Sequence, residues 1–248
     1  MFIDIPGKNY KVLDTHVTYG LVGAIKLAAE KICPDSLHRL NKLAPLPDFN
    51  NSKYSNALRL KSPFCDKNFI YFCFLADLFS DVYSIWCNQK VTVRPMTLSE
   101  YIYCSYRNES DPNYYDISDD CDLYSFLETK IKKCKEYCRP EDLSSQTVNL
   151  QEHQYAHGGS PLVKQRKPNW CGLYDTFGHT HTMTFTNKEA RINMKKNNHI
   201  RDVILVGGSS TTDGPKTWAA NALLRQPTQA WLSVGTRFLL EKDDSSDI

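Results

Sequence analysis

No stretch of the 248-residue sequence comes near 18 consecutive apolar residues, which argues against a membrane-spanning helix. The start, MFIDIPGKNY, lacks a basic n-region and an apolar h-region, so the sequence predicts a chain made and kept inside the cell. Net charge is almost missing. Lys+Arg 30 against Asp+Glu 28 leaves +2, which excludes a protein that coats nucleic acid through charge alone. No repeat of fixed period and no low-complexity tract is present. With 41% hydrophobic and 23% charged residues, a disordered chain or a coiled coil is excluded as well. A chain of this length buries roughly 70–75% of its extended surface, so it needs neither a metal nor a disulfide to fold. Nothing divides it, and residues 1–248 read as a single domain with an acidic C-terminal tail.

Cysteine and tyrosine are what the chain has in quantity. Nine cysteines is an odd number, so at least one thiol lacks a partner within the chain and is available for a bond between chains. In a reducing compartment the remainder read as small core hydrophobes. The 14 Tyr suit large contact areas in which the ring is buried and the hydroxyl finds a partner.

Apolar residues at helical spacing predict an amphipathic helix over residues 18–33, stopped by Pro34. Residues 43–53 read as loop. Residues 68–75, 82–86 and 90–94 are short, aromatic or β-branched, and read as strands. An acidic, tyrosine-rich loop covers residues 108–122, and a second helix covers residues 123–137. Strict alternation over residues 179–186 predicts a strand with His179, His181, Met183 and Phe185 on one face. Residues 202–208 read as a buried strand, and residues 230–240 as a last apolar strand. Many short strands with few helices predict a mainly β, helix-decorated (α+β) protein built as an antiparallel β-sandwich.

Few residue patterns carry chemistry. His179 and His181 point the same way from one strand and have the geometry of half a metal or phosphate site. The sequence nominates no third ligand, and the ordinary reading is two histidines sharing a face. The Gly207-Gly-Ser-Ser-Thr-Thr-Asp-Gly-Pro-Lys216 stretch fails as a phosphate loop. Its spacing is wrong, and Pro215 removes a needed N–H. The aspartates at 111–122 lack the central glycine of a calcium loop. Cys134 and Cys138 lie one helical turn apart without a second ligand pair. Residues 164–167, Lys-Gln-Arg-Lys, are either a solvated loop or a nuclear address. No nucleophile has a base, so no catalytic residue and no cofactor are assigned, and the chain does not read as an enzyme.

Taken in order, several segments resemble the polyhedrin–granulin family of occlusion-body matrix proteins. Tyr10-Lys-Val and Leu21-Val-Gly-Ala-Ile-Lys26 are similar to the family's early strand and helix. Val93-Arg-Pro95 resembles its Val-Asn-Met-Arg-Pro segment, and Asp111-Pro-Asn-Tyr114 its Asp-Pro-Asp-Tyr. Pro168-Asn-Trp-Cys-Gly172, Val203-Ile-Leu-Val-Gly-Gly-Ser209 and Leu232-Ser-Val-Gly-Thr-Arg-Phe238 follow in the family's order. The family's basic nuclear signal after the first helix is absent, as in a divergent, nudivirus-like member. The resemblance implies a jelly-roll sandwich that forms trimers and then crystals in the host-cell nucleus. Its partners would be copies of itself and embedded virions, with neither membrane nor specific nucleic acid. The crystals would dissolve in an alkaline insect gut.

Charge arithmetic fits that expectation. Near neutrality the chain is nearly uncharged, while at about pH 10.5 the ordinary side-chain ionisation constants take it to roughly −30 as an upper bound. Tyr114, Tyr115, Asp116, Asp119 and Asp120 are the expected assembly and pH-switch residues, and Cys104, Cys134 and Cys138 the candidates for bonds between chains. Two rival readings stay open. One is a phosphoesterase or nucleotide-binding protein using His179 and His181; the other is an interaction module that does not crystallise.

Overall fold

The computed structural model describes residues 1–51, 56–106, 162–164, 168–176, 179–186, 190, 203–208, 223–230 and 233–242. These form an α+β protein with two four-stranded sheets. Strands β1 (Phe2–Asp4), β2 (Tyr10–Leu13), β3 (Val91–Pro95) and β8 (Phe238–Lys242) make the first sheet in the order β1-β2-β8-β3, with every pair antiparallel. The second contains β4 (His181–Phe185), β5 (Val203–Val206), β6 (Leu223–Arg225) and β7 (Val234–Thr236), in the order β6-β5-β4-β7. Here β4 runs parallel to β7, so the wholly antiparallel arrangement expected from the sequence does not hold.

Five helices accompany the sheets among the described residues: α1 (Tyr19–Ile32), α2 (Pro34–Leu43), α3 (Ala57–Leu60), α4 (Phe69–Cys87) and α5 (Leu98–Tyr106). The expected first helix is present. Thr18 caps it by accepting the Leu21 N–H, and Val22, Ile25 and Ala29 bury its apolar stripe. Pro34 does more than end α1. It occupies the first turn of α2, where its missing N–H costs nothing.

The main correction concerns residues 68–75 and 82–86, expected as two strands but taken up by one 19-residue helix, Phe69–Cys87, and its cap Asn68. The aromatic run misleads because α4 is a central helix. Phe69, Phe72, Leu75, Ala76, Phe79 and Val82 line its buried face at helical spacing, while Tyr71, Cys73 and Leu78 are covered from the sides. A helix enclosed on several sides loses the polar stripe that reveals its period. Its ends are nevertheless written locally: Asn68 accepts the Tyr71 N–H, and Asn88 takes the left-handed conformation that closes the helix. The helix is long and apolar enough to cross a membrane, but it packs on β3 and between α1 and α2 as the core helix. Phe238 and Phe185 meet it edge-on through Phe79 and Phe69.

Residues 230–240 are also more than one strand. Val234–Thr236 belongs to the second sheet and Phe238–Lys242 to the first, with only Arg237 between them. The expected strands at 90–94, 179–186 and 202–208 correspond to β3, β4 and β5. The acidic loop and the helix at residues 123–137 lie outside the described residues.

Candidate functional site

The passage from one sheet to the other creates a polar seam in an otherwise apolar core. Arg237, fully buried, donates from Nη1 to the Leu13 carbonyl (2.8 Å) and from Nη2 to the Tyr174 carbonyl (2.6 Å). Its guanidinium therefore ties β2 and the turn after Gly172 to the crossover itself. Burial pushes its pKa down, while the nearby Asp175, Tyr101 and Asp14 pull the other way. Asp14 in turn accepts from the Lys164 ammonium at 2.7 Å, and Asp175 accepts the Lys164 backbone N–H at 2.8 Å. The Tyr101 hydroxyl donates to the Thr176 carbonyl and occupies the space beside Gly207. Gly207 has φ +84, and any Cβ there would collide with that hydroxyl and carbonyl. The glycine pair that superficially resembles a phosphate loop is thus a packing requirement at the end of β5.

A second buried charge lies beside this seam. Arg94 on β3 meets Glu100 of α5 in a two-pronged contact, Nη1 to Oε2 at 2.7 Å and Nη2 to Oε1 at 2.6 Å, and also contacts Glu241 of β8. Glu100 additionally accepts the Thr97 N–H (2.8 Å), while the Thr97 hydroxyl faces the Glu100 N–H. This reciprocal pattern is a capping box, and Thr97-x-x-Glu100 is the local pattern from which α5 could have been read but was not.

The histidines are enclosed. His179 stacks on His16 with ring centroids 5.9 Å apart and gives its Nε2–H to the Leu162 carbonyl at 3.0 Å. His16 Nε2 pairs with the Thr182 hydroxyl at 2.8 Å. His181 begins β4 and is half-buried. Both faces of β4 are covered, so the alternating threonines turn inward as well. Thr184 donates to the Ile204 carbonyl. Among the described residues no group of three His, Cys, Asp or Glu side chains is placed to hold a metal ion. The two histidines expected to share a strand face are therefore divided between a stacked core imidazole and a strand end.

His16 and His181 are held neutral by their surroundings. Burial pushes the His16 pKa well down, with Arg237 adding to it, and burial with the Arg225 charge brings His181 down to about 4. In the unfolded chain both return to about 6.5, so below that pH the unfolded state binds more protons. Stability is expected to fall as pH drops from about 6.5 towards 4, with about 2 kcal/mol lost by pH 5 through His181 alone. Urea midpoints at pH 7.5 and 5.0 check this, and a His181→Gln protein should show a shallower slope. A flat profile would mean that the rings titrate freely in the folded state.

The last part of the seam is a clamp. The Cys104 carbonyl on α5 accepts from Asn169 Nδ2 (2.8 Å), Trp170 Nε1 (3.1 Å) and Cys171 Sγ (3.3 Å). Asn169 Oδ1 turns back to receive the Cys171 and Leu173 N–H groups. The outgoing end of α5 and the returning chain at residues 169–171 are thereby fastened together.

Cys104 is completely buried, which moves it out of the set of thiols able to reach another chain. Among the described cysteines Cys87 is exposed. Cys134, Cys138, Tyr114, Tyr115, Asp116, Asp119 and Asp120 lie outside the described residues. Lys164 of the basic tetrapeptide is engaged by Asp14. Arg237, Glu100 and His16 were not singled out from the sequence. Only Glu100 carried a local signal.

An α+β core with its charges turned inward is the class that these observations define. Comparison with described protein families and with curated proteins returns no match. Solved structures do share the fold. Treponema denticola variable protein 1 is 15% identical with TM-score 0.52, covering 93% of this chain and 84% of its own. CarF is 15% identical with TM-score 0.51, covering 95% and 87%. PvdO from Pseudomonas aeruginosa is 12% identical with TM-score 0.52, covering 97% and 90%.

Proposed function

We propose that the chain is a non-catalytic interaction protein, in its specific form a matrix protein of the occlusion-body type. Its contacts would be made by the sequence between Tyr106 and Leu162. The observation that carries this reading is the clamp on the Cys104 carbonyl. It joins Cys104 to residues 169–171, which lie in sequence on either side of the tract containing Tyr114, Tyr115, Asp116, Asp119, Asp120, Cys134 and Cys138. The entropic cost of closing a longer tract grows slowly, so the length between two held ends can change at little cost to the fold.

Self-association in a host nucleus, trimers, embedded virions and release in base come from the resemblance. Most of the matched segments fall on β2, α1, β3, β5 and the β7–β8 crossover, where they pack the core. Lattice contacts would therefore have to come from elsewhere, which favours the bracketed tract. The jelly-roll connectivity belongs to the same reading, and the parallel β4–β7 pair counts against it. Alkaline release would rest on exposed groups. Burial pushes Tyr19 up to about 12 and raises Tyr10, Tyr71 and Tyr101 further, so these phenols stay neutral and the charge gained falls short of the upper bound. The phosphoesterase reading loses ground because the His179 ring is buried and held by a backbone carbonyl.

The decisive comparison is between the full chain and a variant whose residues 110–160 are replaced by a Gly/Ser linker of roughly 12 residues. Sedimentation velocity should find the full chain as trimers or larger at pH 7 and dispersed at pH 10.5. The variant should be monomeric at both, with an unchanged melting temperature. A full chain that remains monomeric at high concentration would refute self-assembly.

A further inference from the structure

We propose that Cys104 and Cys171 are a dithiol that hydroperoxides oxidise to an intramolecular disulfide, sealing the clamp between α5 and the returning chain. Cys171 Sγ donates to the Cys104 carbonyl and to Asn169 Oδ1, each at 3.3 Å, which sets the two cysteines directly against each other. Both residues sit on anchored backbone. Cys104 lies in α5, and Cys171 in a turn closed by the Gly172 N–H to the Asn169 carbonyl. The buried Arg237 charge acts on both thiols.

The pair is also chemically unequal. The adjoining Cys104 thiol, against the effect of burial, brings Cys171 below the ordinary thiol range, helped by the Leu173 N–H and by Arg237. Burial pushes Cys104 up, as it does Cys65 and Cys33. Cys171 is thus the thiolate-prone member and Cys104 the resolving thiol. Access selects the oxidant. Cys171 is 7% exposed and Cys104 0%, so a bulky disulfide cannot reach either and a small oxidant would have to enter beside Cys171.

The reaction balances as two thiols plus one hydrogen peroxide giving one disulfide and two waters. The Cys171 thiolate attacks a peroxide oxygen, forming S–O as O–O breaks, and the leaving hydroxide takes a proton to become water. Cys104 Sγ then attacks Cys171 Sγ. An S–S bond forms, S–O breaks, and the hydroxyl departs with the Cys104 proton as the second water.

Reduced full chain is treated with stoichiometric hydrogen peroxide at pH 7, alkylated in denaturant, and mapped by proteolysis and mass spectrometry. The expected product is a Cys104–Cys171 peptide pair lighter by two hydrogens, with two fewer alkylated thiols. The unfolding midpoint should rise by roughly 5–10 °C, because the new bond closes a long loop. In Cys104→Ser, Cys171 should stop at the sulfenic acid and be trapped by a 1,3-diketone. The wild-type map decides the matter even if that variant does not fold. Recovery of Cys171 as an alkylated thiol while the exposed Cys87 is oxidised overturns the proposal, as does a bond from Cys171 to any other cysteine.

Discussion

Arg237→Ala should destabilise the protein by about 3–5 kcal/mol, the largest loss expected from any single truncation in the seam. Three effects act together. The Leu13 and Tyr174 carbonyls lose their donors inside the core, at about 1–3 kcal/mol each when no water replaces them. A void opens between the two sheets where the largest fully buried side chain had been. Asp14 and Asp175 lose a nearby positive charge. The opposing effect is relief of a desolvated guanidinium, and Arg237→Met isolates it. Met fills much of the volume without supplying donors, so it should cost about half as much as Ala. Lysine keeps the charge but not the fork that spans two carbonyls, and should also fall between wild type and Ala. Urea unfolding of the series orders the effects. An Arg237→Ala protein as stable as wild type would show that the crossover is not held by this side chain.

Glu100→Ala should cost nearly as much, again about 3–5 kcal/mol, because it strips a buried guanidinium of its two-pronged partner. It also removes half of the capping box that starts α5. Glu100→Gln keeps the shape but places an amide N–H₂ against one Arg94 donor, so it should lose about 2 kcal/mol. Glu241 is the natural control. It contacts the same Arg94 but its side chain is 30% exposed, and Glu241→Ala should cost about 1 kcal/mol. Salt separates the two pairs further. Raising the ionic strength should narrow the Glu241 difference and leave the Glu100 difference intact, since screening does not penetrate a dry contact. Thermal midpoints at low and high salt measure both. Equal costs for the two glutamates would mean that water reaches Arg94.

Parts of this architecture are legible in the sequence alone. Helix α1 is, because its buried residues recur at helical spacing under a threonine cap. Strands β3, β4 and β5 are also readable, since each is a short β-branched or alternating run. Helix α4 is not, because burial on several sides removes its period and leaves only aromatic composition, which favours strands. Its asparagine caps at residues 68 and 88 are the overlooked local signal. The split of residues 230–240 is invisible for a different reason. One arginine in an apolar run looks like a solvated charge until two distant carbonyls are seen to receive it.

The candidate site divides in the same way. Spacing puts His179 and His181 on one face, yet one stacks on His16 and the other opens β4, because partners from the β2–α1 connection decide their surroundings. Cys104 looks like any other thiol in the sequence. Its burial and its proximity to Cys171, 67 residues away, are products of folding.

Local order in the chain was enough to establish an α+β protein, its near-neutral charge, helix α1 and strands β3, β4 and β5, but not that helix outweighs strand among the described residues, against the mainly β reading. Those follow from propensity, periodicity and composition, which act over a few residues. Only the tertiary structure decided that β2 pairs with β8, that Arg237 reaches Leu13 across 224 positions, and which thiols and imidazoles lose their water. Desolvation and pairing between distant segments depend on what the rest of the chain places beside a residue, and no local pattern records that.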